Sequence, residues 1–178
     1  MIRTRAKVLS GYEDTDDEWK KIFQSAVSRD NLWVTRDERK SIAESGQIPR
    51  SLKHRIARFH LVDNTRGEPP MWRPEDVREI NLRLTGTAVT GNVKLISRDG
   101  SRSYNADLRG IVEVADGQVT RFDMVANGRF RGEGRYTRDS PKGEFPLAVA
   151  FSLADGTETA DGIPPQGSRG WIDGYLND

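Results

Sequence analysis

The stretch Tyr104-Asn105-Ala106-Asp107-Leu108-Arg109-Gly110-Ile111-Val112-Glu113-Val114-Ala115-Asp116-Gly117-Gln118-Val119-Thr120-Arg121-Phe122-Asp123-Met124-Val125-Ala126 decides the fold class. Small and apolar residues recur at every second position from Tyr104 to Val114, and again from Phe122 to Ala126. A period of two is that of a β-strand with one buried face. Asp116-Gly117 between them is a dipeptide that favours a tight hairpin. Strands joined by so short a turn are antiparallel, because a parallel pair needs a long crossover.

The same period extends outward. Ile80, Leu82 and Leu84 share one face, and Val89, Gly91, Val93 and Leu95 follow, with Asp99-Gly100 as the next turn. Phe145, Leu147, Val149, Phe151 and Leu153 form a later run. The pattern predicts an antiparallel meander with an apolar and a polar face. Gly91 and Gly110 are expected to mark bends or bulges. The polar face carries Arg83, Lys94, Asn105, Asp107, Arg109 and Glu113. It reads as a solvated surface with cross-strand ion pairs, or, in a curled sheet, as a ligand-binding face.

Toward the N-terminus the period changes to 3.6. Thr15-Asp16-Asp17-Glu18 has the form of a capping box, and Trp19, Ile22, Phe23, Ala26 and Val27 make an amphipathic stripe, predicting a helix over about 16–28. Thr35-Arg36-Asp37-Glu38 is a second capping box, with Gly46 as a left-handed stop. Pro49 fits the first position of a third helix with Leu52, Ile56 and Phe59 inward, while Arg50, Lys53, Arg55 and Arg58 decorate its outer side. Gly67, Pro69, Pro70 and Pro74 break the pattern into a connector, and Trp72 is expected to pin that connector to the sheet. The tail ending Trp171-Ile172-Asp173-Gly174-Tyr175-Leu176 suggests a last docked strand.

Helical stripes and a one-sided sheet bury each other, so the expected fold is α+β, with N-terminal helices packed on an antiparallel β-meander. A small half-open β-barrel with flanking helices is the alternative. Residues 1–178 read as a single domain: a helical layer at 13–62, a connector at 63–78 and the sheet at 79–178. Trp19, Phe23, Ile56 and Phe59 are expected against Leu108, Val112, Val149 and Phe151.

Composition narrows the function. The chain has 28 basic and 27 acidic residues, a balance that does not by itself call for nucleic acid, which is not expected as a partner. There is no cysteine, hence no disulfide and no thiolate chemistry. No apolar run is long enough to span a membrane, and the chain reads as soluble. No signal peptide is visible at Met1-Ile2-Arg3-Thr4-Arg5; the compartment expected is cytoplasmic by default, or periplasmic or secreted if Met1 replaces a removed leader.

His54 and His60 lie six positions apart, about 240° around a helix, and cannot clamp one metal from one face; both read as surface or boundary residues. No metal site and no cofactor are expected. Gly167-Ser168-Arg169-Gly170 is not a nucleophile elbow, and Gly132-Glu133-Gly134 is not followed by a helix pattern, so neither motif specifies chemistry. Asp107, Glu113 and Asp123 would serve acid–base catalysis only if two of them faced one groove.

The stretch 127–144 interleaves basic, aromatic and glycine residues and reads as a long flexible loop. Arg129, Arg131, Arg135, Tyr136, Arg138 and Lys142 are therefore the candidate ligand-binding residues, with an anionic ligand or another protein as partner. The sequence favours a non-catalytic binding or accessory domain. The alternatives are a small carboxylate-dependent hydrolase or lyase, favoured by a pocket with convergent carboxylates, and a protein-interaction module of a larger assembly, favoured by an exposed apolar patch.

Overall fold

The alternating segments pair into one open antiparallel sheet in the computed structural model, which describes residues 1–177. Its strands are β1 (Ile2–Val8), β2 (Asp30–Leu32), β3 (Val77–Thr85), β4 (Ala88–Ile96), β5 (Ser103–Ala115), β6 (Gln118–Arg131) and β7 (Glu144–Leu153). The order across the sheet is β2-β1-β7-β6-β5-β4-β3. The fold is α+β, and the sheet does not close into a barrel. Helices are α1 (Glu18–Ser25), α2 (Arg36–Ser45), α3 (Arg50–Arg55) and α4 (Ile172–Leu176). No helix among the described residues is long and apolar enough to cross a membrane.

The β3–β7 meander follows the alternation residue by residue. Asp116 and Gly117 both take positive φ, 51° and 71°, as a hairpin turn matched to strand twist requires. Gly91 and Gly110 are not bulges: pairing runs unbroken through both, and the register shifts lie at Val77/Glu79 and Glu113/Val114. These glycines mark close approach instead. A Cβ on Gly91 would sit 2.0 Å from the Asn81 carbonyl oxygen, and one on Gly110 would sit 2.2 Å from that of Asp123.

Two further strands join the sheet from the N-terminal side, β1 before the expected helical layer of 13–62 and β2 within it. β1 alternates Ile2, Thr4, Ala6 and Val8 inward with Arg3, Arg5 and Lys7 outward, and pairs with β7 over its whole length. β2 pairs beside it from Ile2↔Leu32 to Thr4↔Asp30. The tail is a helix rather than a last strand: α4 drives Tyr175 into the core, its ring 4.9 Å from that of Phe59.

The inner face of the sheet is covered by α2 against β6 and α3 against β3. Thr35 caps α2 in a closed box, accepting from the Glu38 N–H at 3.2 Å while Glu38 Oε2 accepts from the Thr35 N–H at 2.9 Å. Gly46 ends α2 at φ 63°. Pro49 is the N-cap of α3, which continues as a π-helical turn over Ile56–His60. That turn is buried on every side, so Arg55, Arg58 and His60 are core residues and not surface decoration. The protein supplies their partners. Arg55 donates to Glu38 Oε2 at 2.7 Å and to the carbonyls of Trp33, Tyr175 and Leu176. Arg58 Nε donates to the Trp72 carbonyl at 3.0 Å. Trp72 does pin the connector: its Nε1 donates to the Leu61 carbonyl, and the Arg102 guanidinium lies 4.3 Å from its ring centre.

Candidate functional site

The residues left over by this packing form the site. The inner face is filled by Leu52, Ile56, Phe59, Trp72 and Tyr175, all buried, so α1 finds no apolar surface to cover. Trp19 is 71% exposed and Phe23 46%, and Ile22 and Val27 are exposed beside them; the expected packing of Trp19 and Phe23 on the sheet does not occur, whereas Ile56 and Phe59 are buried. The cap of α1 also differs from the sequence reading. Asp17 accepts from the N–H groups of Trp19 and Lys20, and Thr15 only accepts from the Asp17 N–H in the turn before it.

Facing α1 is the segment 132–143 that joins β6 to β7. It is shorter than the flexible loop expected, because pairing continues to Arg131↔Glu144. Its own bonds order it. The Thr137 hydroxyl accepts from the Gly134 N–H at 2.6 Å, and Arg66 Nε donates to the Arg138 carbonyl at 3.0 Å. Other nitrogens of Arg66 reach the Tyr12 hydroxyl and the Asp63 carboxylate, which ties this segment to the one before α1. Lys142 Nζ lies 2.7 Å from Glu13 Oε1; each holds the other charged, lowering the Glu13 carboxyl and raising the Lys142 amine relative to their ordinary values.

Between the two segments lies a groove of about 730 Å³. Trp19, Phe23 and Tyr136 give it aromatic walls, and Lys20, Arg135 and Arg138 give it cations. The Arg135 guanidinium lies 5.4 Å from the Tyr136 ring centre, and Tyr136 is 62% exposed. Burial raises the Tyr12 phenol above its ordinary value, so that it stays a neutral hydrogen-bonding group here.

Four of the six sequence candidates, Arg135, Tyr136, Arg138 and Lys142, line this groove. Arg129 and Arg131 do not. They stand on the outer face of β6, where they donate to the carbonyls of Glu144 and Gly100. What sequence reasoning missed is the contribution of α1. The signal was its stripe, which specifies an apolar face without saying whether the core has room for it.

A second cleft, of about 530 Å³, opens over Asp30, Asn31, Gln166 and Arg169. Behind it runs a buried chain. Asp30 Oδ2 is 3.3 Å from His60 Nδ1, and His60 Nε2 is 2.7 Å from the Tyr175 hydroxyl, which accepts from the Trp33 N–H. Asp30 Oδ1 accepts from the N–H groups of Asn31 and Gln166, so protein donors already meet this oxygen. The strand carboxylates face no groove either: Glu113 and Asp123 are both neutralised by Arg121 on the exposed face of the sheet, and Asp107 lies between Asn127 and Asn92 in the register. No cluster of metal-ligating side chains occurs among the described residues. No family model, curated protein or solved structure matches the chain.

Proposed function

We propose that this protein is a non-catalytic interaction module that holds an acidic, apolar-bearing segment of a partner protein in the groove between α1 and residues 132–143. The observation that carries the reading is the exposed face of α1. Trp19, Ile22 and Phe23 form one apolar stripe open to solvent, and such a patch marks a surface that something covers. Large aromatics beside arginine are the side chains that anchor interfaces. Lys20, Arg135 and Arg138, none of which is ion-paired among the described residues, outnumber the unpaired Asp14 and Asp139 in the lining and favour carboxylates at the rim.

The test uses an amphipathic Leu/Glu helical peptide as probe, followed by the emission of Trp19. Binding shifts that emission to the blue as the indole leaves water. Trp19→Phe removes the signal, and Arg135→Ala/Arg138→Ala weakens binding at low salt. Equal binding of a Leu/Lys peptide of the same pattern, or no shift with either peptide, overturns the reading.

A further inference from the structure

We infer that the outer face of the sheet is a second, independent binding surface, and that it takes the phosphate backbone of a nucleic-acid duplex. Alternation places nine cationic side chains of the strands on this face: Arg3, Arg5 and Lys7 on β1, Arg83 on β3, Lys94 on β4, Arg109 on β5, and Arg121, Arg129 and Arg131 on β6. Five carboxylates share it: Glu79, Asp107, Glu113, Asp123 and Glu144. The strand positions of this face therefore sum to +4, and since the chain totals +1, all other positions sum to −3, among them Asp155, Glu158 and Asp161, which ion-pair with Arg3. A near-zero net charge conceals a segregated one.

The pairing on the face sharpens the point. Three of the five carboxylates already have side-chain partners, Glu113 and Asp123 through Arg121, and Glu79 through the amides of Asn81 and Asn92. Arg3 is neutralised by Asp155 and Asp161. Arg5, Lys7, Arg83, Lys94 and Arg109 make no ion pair or side-chain hydrogen bond among the described residues. Arg129 and Arg131 spend one nitrogen each on a carbonyl and keep their charge.

Register fixes the spacing. Arg5, Ala150, Val125, Arg109, Thr90 and Arg83 stand in one row across six strands. With strands about 4.8 Å apart, Arg5 and Arg109 are roughly 14 Å apart and Arg109 and Arg83 roughly 10 Å. Arg129 and Lys94 repeat the shorter interval in another row, through Asn105. These backbone intervals bracket the width of a major groove, about 12 Å, which flexible arginine side chains on either side can span. The outer positions of β1 and β3–β7 hold no aromatic side chain on which an unpaired base would stack, which favours a duplex over a single strand. Asn105 and Asn127 add amides able to donate to phosphate oxygens.

The experiment measures binding of a fluorescein-labelled DNA duplex by anisotropy as salt is raised. Wild type binds at low salt with a log–log slope of about −4, as expected if the five free cations meet phosphates. Arg5→Ala/Arg83→Ala/Arg109→Ala lowers the slope by about 3. The matching triple lysine variant restores it, which separates lost charge from lost fold. Arg39→Ala/Arg50→Ala, on the helical layer, leaves it unchanged. No duplex binding at low salt, an unaltered slope in the triple alanine variant, or binding of heparin or of a single strand in preference to the duplex overturns the inference.

Discussion

His60 Nε2 and the Tyr175 hydroxyl lie 2.7 Å apart in the core, joining the end of the π-helical turn to the C-terminal helix across 115 positions of sequence. Asp30 Oδ2 faces the other ring nitrogen, Nδ1, at 3.3 Å. Burial raises the Tyr175 phenol far above its ordinary value and so favours its protonated form. Tyr175→Phe leaves Nε2 and the Trp33 N–H without partners. It is expected to cost about 1–3 kcal/mol in urea denaturation, with the denaturant slope unchanged.

Glu38 gives the protein an acid-sensitive joint between α2 and α3. Burial acts to raise its carboxyl, but Arg55, the Ser51 hydroxyl and the Thr35 N–H outweigh it and hold the value below that of free glutamate. A depressed carboxylate stabilises the fold above its unfolded pKa, and that contribution is lost as pH falls through the folded value. Wild type should therefore lose stability progressively below pH ~4.5. Glu38→Gln should cost about 3 kcal/mol at pH 7 and flatten the acid limb, measured by thermal melts across pH.

The two aromatic helices respond oppositely to truncation. Phe59→Ala empties a site in the filled core and should cost about 3–5 kcal/mol. Phe23→Ala should cost less than about 0.5 kcal/mol, as surface substitutions do. A denaturation midpoint for Phe23→Ala as low as that of Phe59→Ala would place α1 against the core after all.

The capping residues rank the same way. Thr35→Ala breaks a closed box on a packed helix and should cost about 1 kcal/mol. Thr15→Ala removes only a turn contact ahead of an exposed helix, and its midpoint should match wild type.

These contrasts show which parts of the molecule were legible. The meander was, because alternation and Asp-Gly turns are local and agree with each other. α2 was, because both halves of its capping box lie within four residues. β1 carries the same period-two signal, yet Ile2 to Val8 has no hairpin partner nearby in sequence; its partner β7 is more than a hundred residues away. Arg55, Arg58 and His60 read as polar, and only the tertiary placement of Glu38, Trp72 and Tyr175 makes their burial affordable. Within the groove, the loop half was visible as interleaved Arg and Tyr. The helix half was not, since whether a stripe is buried depends on what else fills the core.

The pairing of β1 with β7 also sets an order in time. During synthesis residues 2–8 emerge before the rest of the sheet, but they have no full-length neighbour until residues 144–153 have left the ribosome. Non-local pairing of this kind is slow, since the loop between the partners must close before any contact rewards it. The β3–β6 hairpins can assemble earlier, leaving the outer edge of β6 and then β7 open until the N-terminal strand arrives. For that interval the nascent protein exposes a strand edge able to pair with another chain. Of the strands described, the earliest in sequence is thus the one that covers the β7 edge.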